Sequence, residues 1–198
     1  MDLRLGFLAS HGGSNVEAIL NNIENGSLNA KGLVVICNNP GARVLDVGLR
    51  KGLDCYCMNF GTHADNLNFE IAQMFRDYDV NLVVAGGYMK TIGDAIIEAY
   101  PNRVLNIHPA LLPKYGGKGM YGKAVHRAVL DSGDVVSGAS VHIVTKEYDR
   151  GKVIGQCTVS RYDWDDVESL AKRVLEVEHA LYSRVLRDVG SGVIDLDL

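Results

Sequence analysis

No apolar run in this chain of 198 residues reaches the length that a bilayer-spanning helix needs. The stretch Met1-Asp2-Leu3-Arg4-Leu5-Gly6-Phe7-Leu8 is too short and too acidic for a secretory signal, so a cytoplasmic location is expected. Positive charge is scarce too. Against 24 Asp and Glu stand 20 Lys and Arg, a net charge of -4, and they form no basic stripe that could displace counterions from a nucleic-acid backbone. Neither nucleic acid nor membrane is an expected partner, whereas small anionic ligands remain open. The four cysteines (Cys37, Cys55, Cys57, Cys157) and six histidines lack metal-ligand spacing, so no metal is expected and the thiols read as reduced and structural. A Walker phosphate loop and a dinucleotide fingerprint are both missing.

What is present is a regular alternation of apolar strands and amphipathic helices. With 47% hydrophobic residues the chain can bury one sizeable core, and a single domain over 1–198 is expected. Leu3–Ala9 reads as a strand, Ser10–Asn15 as a Gly-rich turn, and Val16, Ile19, Leu20 and Ile23 as one face of a helix. Further strands are expected at Leu33–Cys37, Asp54–Met58, Leu82–Ala85 and Val104–His108, separated by helices near 42–51, 66–78 and 92–100. That order implies an α/β fold with a mainly parallel sheet. Beyond a loop from Ala110 to Gly122 and a helix near 123–130, Gly138–Thr145 and Lys152–Val159 read as an antiparallel hairpin. A long helix over Trp164–Asp188, opened by a cap-like cluster from Asp163 to Asp166, completes the chain.

Four places carry polar groups where a core or a simple turn does not need them. Asn106 and His108 sit two residues apart on a strand, hence on one face, and Pro109 ends that strand. In an open α/β sheet, ligands bind beyond the carboxyl ends of the strands, although a His and an Asn satisfied in a loop corner would read the same way. Gly13, Ser14 and Asn15 offer free helix N–H groups to an anion, with Ser14 or Asn15 able to cap the helix; a well-capped tight turn is the plain alternative. Asp149 lies in the tight connection Lys146–Gly151, where a carboxylate is ordinarily a solvated turn residue. Glu178 falls on the apolar stripe of the last helix, so it is either a site residue or half of a buried ion pair.

Taken together, Gly13-Ser14-Asn15, the run from Asn106 to Tyr115, the segment 138–151 and the run Arg173-Val174-Leu175-Glu176-Val177-Glu178-His179 closely resemble the phosphoribosylglycinamide formyltransferases. The resemblance implies a formyltransferase fold, a Rossmann-like, mainly parallel twisted sheet flanked by helices with an antiparallel hairpin in the C-terminal half. Residues 1–100 would form the half that binds the nucleotide phosphate, and 101–198 the catalytic and folate-binding half. It further implies formyl transfer from 10-formyltetrahydrofolate to the amine of 5-phosphoribosylglycinamide by a cytoplasmic monomer or weak homodimer. Asn106, His108 and Asp149 match the family's catalytic trio, with His108 protonated under the influence of Asp149. Gly13, Ser14, Asn15 and Glu178 match its nucleotide contacts, and Met89, Lys90, Thr91 and Ile92, with Thr145, Lys146, Glu147 and Tyr148, its folate pocket. Leu175 stands where a basic or amide residue is usual, no Arg occurs near Thr62 and His63, and the loop from Gly116 to Gly122 is longer than the familiar one. Related readings are a formyltetrahydrofolate hydrolase, a sugar-amine or methionyl-tRNA formyltransferase, and a non-catalytic folate- or nucleotide-binding module.

Overall fold

The computed structural model describes residues 1–197, and among these seven strands build one sheet. In chain order the elements are β1 (Leu3–Ala9), α1 (Ser14–Glu24), β2 (Ala30–Cys37), α2 (Arg43–Arg50), β3 (Asp54–Cys57), α3 (Phe60–His63), α4 (Leu67–Asp77), β4 (Leu82–Ala85), α5 (Asp94–Ala99), β5 (Val104–His108), α6 (Lys123–Ser132), β6 (Val136–Ile143), β7 (Val153–Ser160) and α7 (Val167–Gly190). Their order across the sheet is β3-β2-β1-β4-β5-β6-β7. The first five strands are parallel, as the alternation implied; β6 runs antiparallel to β5, and β7 antiparallel to β6, as the expected hairpin requires. No helix among the described residues is long and apolar enough to cross a membrane.

Because both faces of the sheet are covered, its central strands are apolar on both sides. Leu5, Phe7 and Ala9 of β1 join one core with α1 and α7, while Leu8 joins a second core with α4 and α5 on the other side. The chain steps outward from β1 to β3 and then returns to place β4 on the opposite side of β1. The turns that follow β1 and β4 therefore diverge and leave a crevice at the strands' carboxyl ends.

Helix α7 clamps this region. A capping box between Asp166 and Ser169 starts it, and the buried Tyr182 hydroxyl donates to the carbonyls of Ala85 (3.1 Å) and Leu105 (2.9 Å), one on each of β4 and β5. The same helix carries Glu178 one turn earlier, pointing at α1.

Several boundaries differ from the sequence expectation. The last helix begins at Val167, because Trp164 is 79% exposed and stacks on Tyr162 instead of joining the apolar stripe. Strand β6 starts two residues early and ends at Ile143, since Val136 pairs with Ser160 while Thr145 leaves the sheet for the loop below it. The short helix α3 was not visible in the pattern; Asn59 caps it in a local box with Thr62. Nor does Ser14 or Asn15 cap α1. Gly13 holds that position in a left-handed conformation, φ 68°, without any side-chain cap.

Tyr182→Phe removes one donor from two buried carbonyls. It is expected to lower unfolding free energy by about 1–2 kcal/mol, read as a lower urea midpoint at unchanged slope; an unchanged midpoint would show that the clamp is dispensable.

Candidate active site

The turn after β1 is shaped by a close approach. A side chain at Gly13 would bring its Cβ within 2.3 Å of Val44 Cγ2, so the left-handed glycine lets the start of α2 pack directly beneath the turn. The buried Ser10 hydroxyl donates to Asn38 Oδ1 and accepts from the Met89 N–H (2.7 Å), which ties this turn to the segment after β4. Asn15 is free of capping duty because its Nδ2 donates to Glu178 Oε2 (2.7 Å) across the interface with α7. Glu178 is only 8% exposed. Burial pushes its carboxyl above the ordinary carboxylate range, and the bond from Asn15 offsets part of that. It is thus an inward carboxylate satisfied by an amide, not half of an ion pair.

At the end of β5, Asn106 and His108 face the same side, as alternation requires, and β6 pairs beside them in the register Asn106↔His142 and His108↔Ser140. His108 Nε2–H donates to the Tyr115 carbonyl (2.8 Å), which leaves Nδ1 turned towards Asp149 Oδ2 at 3.6 Å. His142 Nδ1–H donates to the Ile143 carbonyl (3.0 Å), so its Nε2 accepts from the Asn106 amide (3.1 Å); the same nitrogen lies 3.4 Å from Asp149 Oδ1. The Gly117 N–H donates to Asp149 Oδ2 (2.9 Å). One carboxylate thus faces two buried imidazoles and is held by a backbone amide of the long Gly-rich loop.

The charges in this group follow from competing effects. Burial works against the Asp149 carboxylate, but the contacts from His142, the Gly117 amide and His108 outweigh it, and its pKa is lowered overall. At His108 two effects oppose each other. Asp149 does pull its pKa upward, but burial pushes it down by more, and His142 adds to the downward side. Burial thus disfavours the imidazolium that the adjoining carboxylate favours.

Every residue singled out from the sequence lines one cavity of about 790 Å³: the trio, the turn Gly13–Asn15 with Glu178, and both segments of the expected folate pocket, 89–92 and 145–148. Those two segments are strapped together, Tyr148 hydroxyl to Thr91 hydroxyl and Lys146 Nζ to Asp94 and Glu98 (2.9 Å each). Tyr88, Met89 and Ile92 give this end an apolar wall suited to a flat heteroaromatic ring, with polar backbone alongside. Leu175 also lines the cavity, whereas His63 turns away to Glu70 (3.6 Å). Sequence reasoning missed His142 and gave His126 no role, yet both line the wall beside the trio. Hairpin register would have flagged His142, since a β6 residue opposite Asn106 must share its face.

The chain resembles known proteins along most of its length. The family model described as "Formyl transferase" matches residues 3–186. The chloroplastic phosphoribosylglycinamide formyltransferase of Arabidopsis thaliana is 38% identical over 186 residues, 92% of this chain; the chain spans 64% of that relative's length. The phosphoribosylglycinamide formyltransferase of Bacillus subtilis is 30% identical, with 91% of each chain covered. The crystal structure of glycinamide ribonucleotide transformylase 1 from Symbiobacterium toebii superimposes with a TM-score of 0.91 at 34% identity, covering 98% of this chain and 91% of that one. The fold is the formyltransferase fold.

The raised pKa of Glu178 has a consequence for stability. A carboxyl whose folded pKa exceeds its unfolded one contributes fully at acid pH and loses that contribution as pH rises through the folded value. Glu178→Gln, which still accepts from Asn15, is expected to raise Tm at pH 7 and leave it unchanged at pH 4. A difference of the same size at both pH values would contradict the buried-carboxyl assignment.

Proposed function

The chain belongs to the formyl transferase family, and from that premise we propose that it transfers the formyl group of 10-formyltetrahydrofolate to the amine of 5-phosphoribosylglycinamide, a step of purine synthesis. The observation that carries this reading is the joining of two unlike sites in one cavity. At one end lie the amide, imidazole and carboxylate of Asn106, His108 and Asp149; at the other lie the open turn Gly13–Asn15 and the inward carboxyl of Glu178. The turn suits a phosphate, Glu178 a ribose hydroxyl, and the strapped segments 89–92 and 145–148 a folate. On this reading the chain is one domain, with the nucleotide-phosphate side in 1–100 and the catalytic and folate side in 101–198.

Attack of the amine on the formyl carbon builds negative charge on the formyl oxygen. Asn106 has a second amide N–H beyond the one spent on His142, and it meets that charge. A neutral His108 becomes a stronger base as the oxygen turns anionic, because the new charge adds to the pull of Asp149 on Nδ1. An imidazolium thus forms as the tetrahedral state forms, drawing on the proton that the amine releases through Asp149 or a water. It then protonates the leaving nitrogen. No residue of the chain forms a covalent bond to the formyl group. Substrates on this reading are small molecules, and the acting form is a cytoplasmic monomer or weak homodimer.

A turnover assay following tetrahydrofolate release tests the proposal. Release that depends on 5-phosphoribosylglycinamide supports it; equal release without any amine indicates a hydrolase and overturns it. His108→Ala is expected to lower kcat by about 10²–10⁴-fold, the scale of losing a positioned general acid. Asn15→Asp places a carboxylate beside both Glu178 and the phosphate turn, and it should raise KM for the phosphorylated substrate roughly tenfold while the folate KM holds. An unchanged KM would count against the phosphate assignment.

A further inference from the structure

His126, on α6, lines the cavity, and the mechanism above makes no use of it. The ring is 5% exposed, and its Nδ1 is sealed from solvent without a hydrogen-bond partner. An unpaired buried nitrogen of this kind calls for an explanation, since most buried polar atoms are satisfied. The groups facing it set its charge. Burial and His108 on β5 both disfavour protonation, and together they outweigh Glu168 on α7, which is itself paired with Lys123 (2.7 Å). The ring is neutral and carries one proton.

On Nδ1 that proton would be a buried N–H with no acceptor, a rarer arrangement than a buried lone pair without a donor. The proton therefore sits on Nε2, the nitrogen left to face the cavity. Other donors on this wall are already engaged: His108 Nε2–H holds the Tyr115 carbonyl, and one Asn106 N–H holds His142.

We propose that His126 is a further catalytic residue, whose Nε2–H donates to the formyl oxygen of the bound one-carbon donor and strengthens as that oxygen becomes anionic. This deepens the formyl-transfer reading and rests on it. A neutral imidazole suits the role, since it polarises a carbonyl without giving up its proton. Neutrality also avoids setting a second cation next to the His108 imidazolium that forms during the reaction.

The test separates this role from a structural one. His126→Phe removes a buried unpaired nitrogen while keeping a ring, so Tm should hold or rise while kcat falls about 10²-fold and both KM values stay within about threefold. His126→Gln, which can return an N–H to the same point, should recover at least tenfold of the loss. Unchanged kcat in the Phe variant, or a loss that follows Tm without recovery in the Gln variant, overturns the proposal. Nitrogen-15 spectra of the histidines in the full-length protein supply a readout that needs no acceptor amine. At pH 7 His126 should be neutral with its proton on Nε2, and a non-transferable 10-formyl folate analogue should shift that N–H downfield. A proton on Nδ1, an imidazolium, or no shift with the bound analogue would overturn the role even if formyl transfer holds. The expected tautomer and shift would stand even if the amine acceptor proved to be a different one.

Discussion

The Asp149 carboxylate, shared between two buried imidazoles and fixed by one backbone amide, is the contact around which the rest of this structure is arranged. A charged group half removed from water is costly unless several donors and cations meet it. Here His108 on β5 and His142 on β6 each turn one ring nitrogen towards it, while the Gly117 N–H of the long loop after Pro113 donates to it. That last contact gives the departure in loop length a physical meaning. Gly117 has φ 104°, a conformation open to glycine, and its amide is what reaches the carboxylate. The same loop supplies the Tyr115 carbonyl that decides which nitrogen of His108 carries the proton.

The sheet topology makes this arrangement reachable. Because strand order reverses between β1 and β4, the turns after them open away from each other, and β5 ends at the rim of the resulting crevice. The antiparallel return of β6 and β7 then carries Asp149 back over the end of β5, in the connection between the two strands. Ser140, the register partner of His108, keeps that corner rigid by donating to the Ala110 carbonyl (2.6 Å) and accepting from the Leu112 N–H (3.0 Å). On the far side, Ser10 joins the two crevice turns and Tyr182 joins β4 to β5, so both ends of the cavity are referred to one frame.

Much of this was legible from residue order. Alternation placed Asn106 and His108 on one face, and period 3.6 aimed Glu178 inward; both are local consequences of backbone geometry. Other features depend on contacts that no local pattern encodes. Asn15 looks like a helix cap until its amide is seen to be taken by a carboxylate 163 residues away. His142 looks like a strand residue until the hairpin register sets it beside Asn106. The balance at His108 is hidden for a related reason: the sequence names its acidic neighbour, but the degree of burial that opposes that neighbour is a property of the packed fold.

Asp149 opposes, without overcoming, the burial that disfavours a charged His108. Titration of the His108 ring by NMR in the intact protein and in Asp149→Asn tests it directly. A midpoint below the ordinary 6.5 is expected in the wild type, moving lower still when the carboxylate is lost. A wild-type midpoint above 6.5, or one that Asp149→Asn leaves in place, would contradict it.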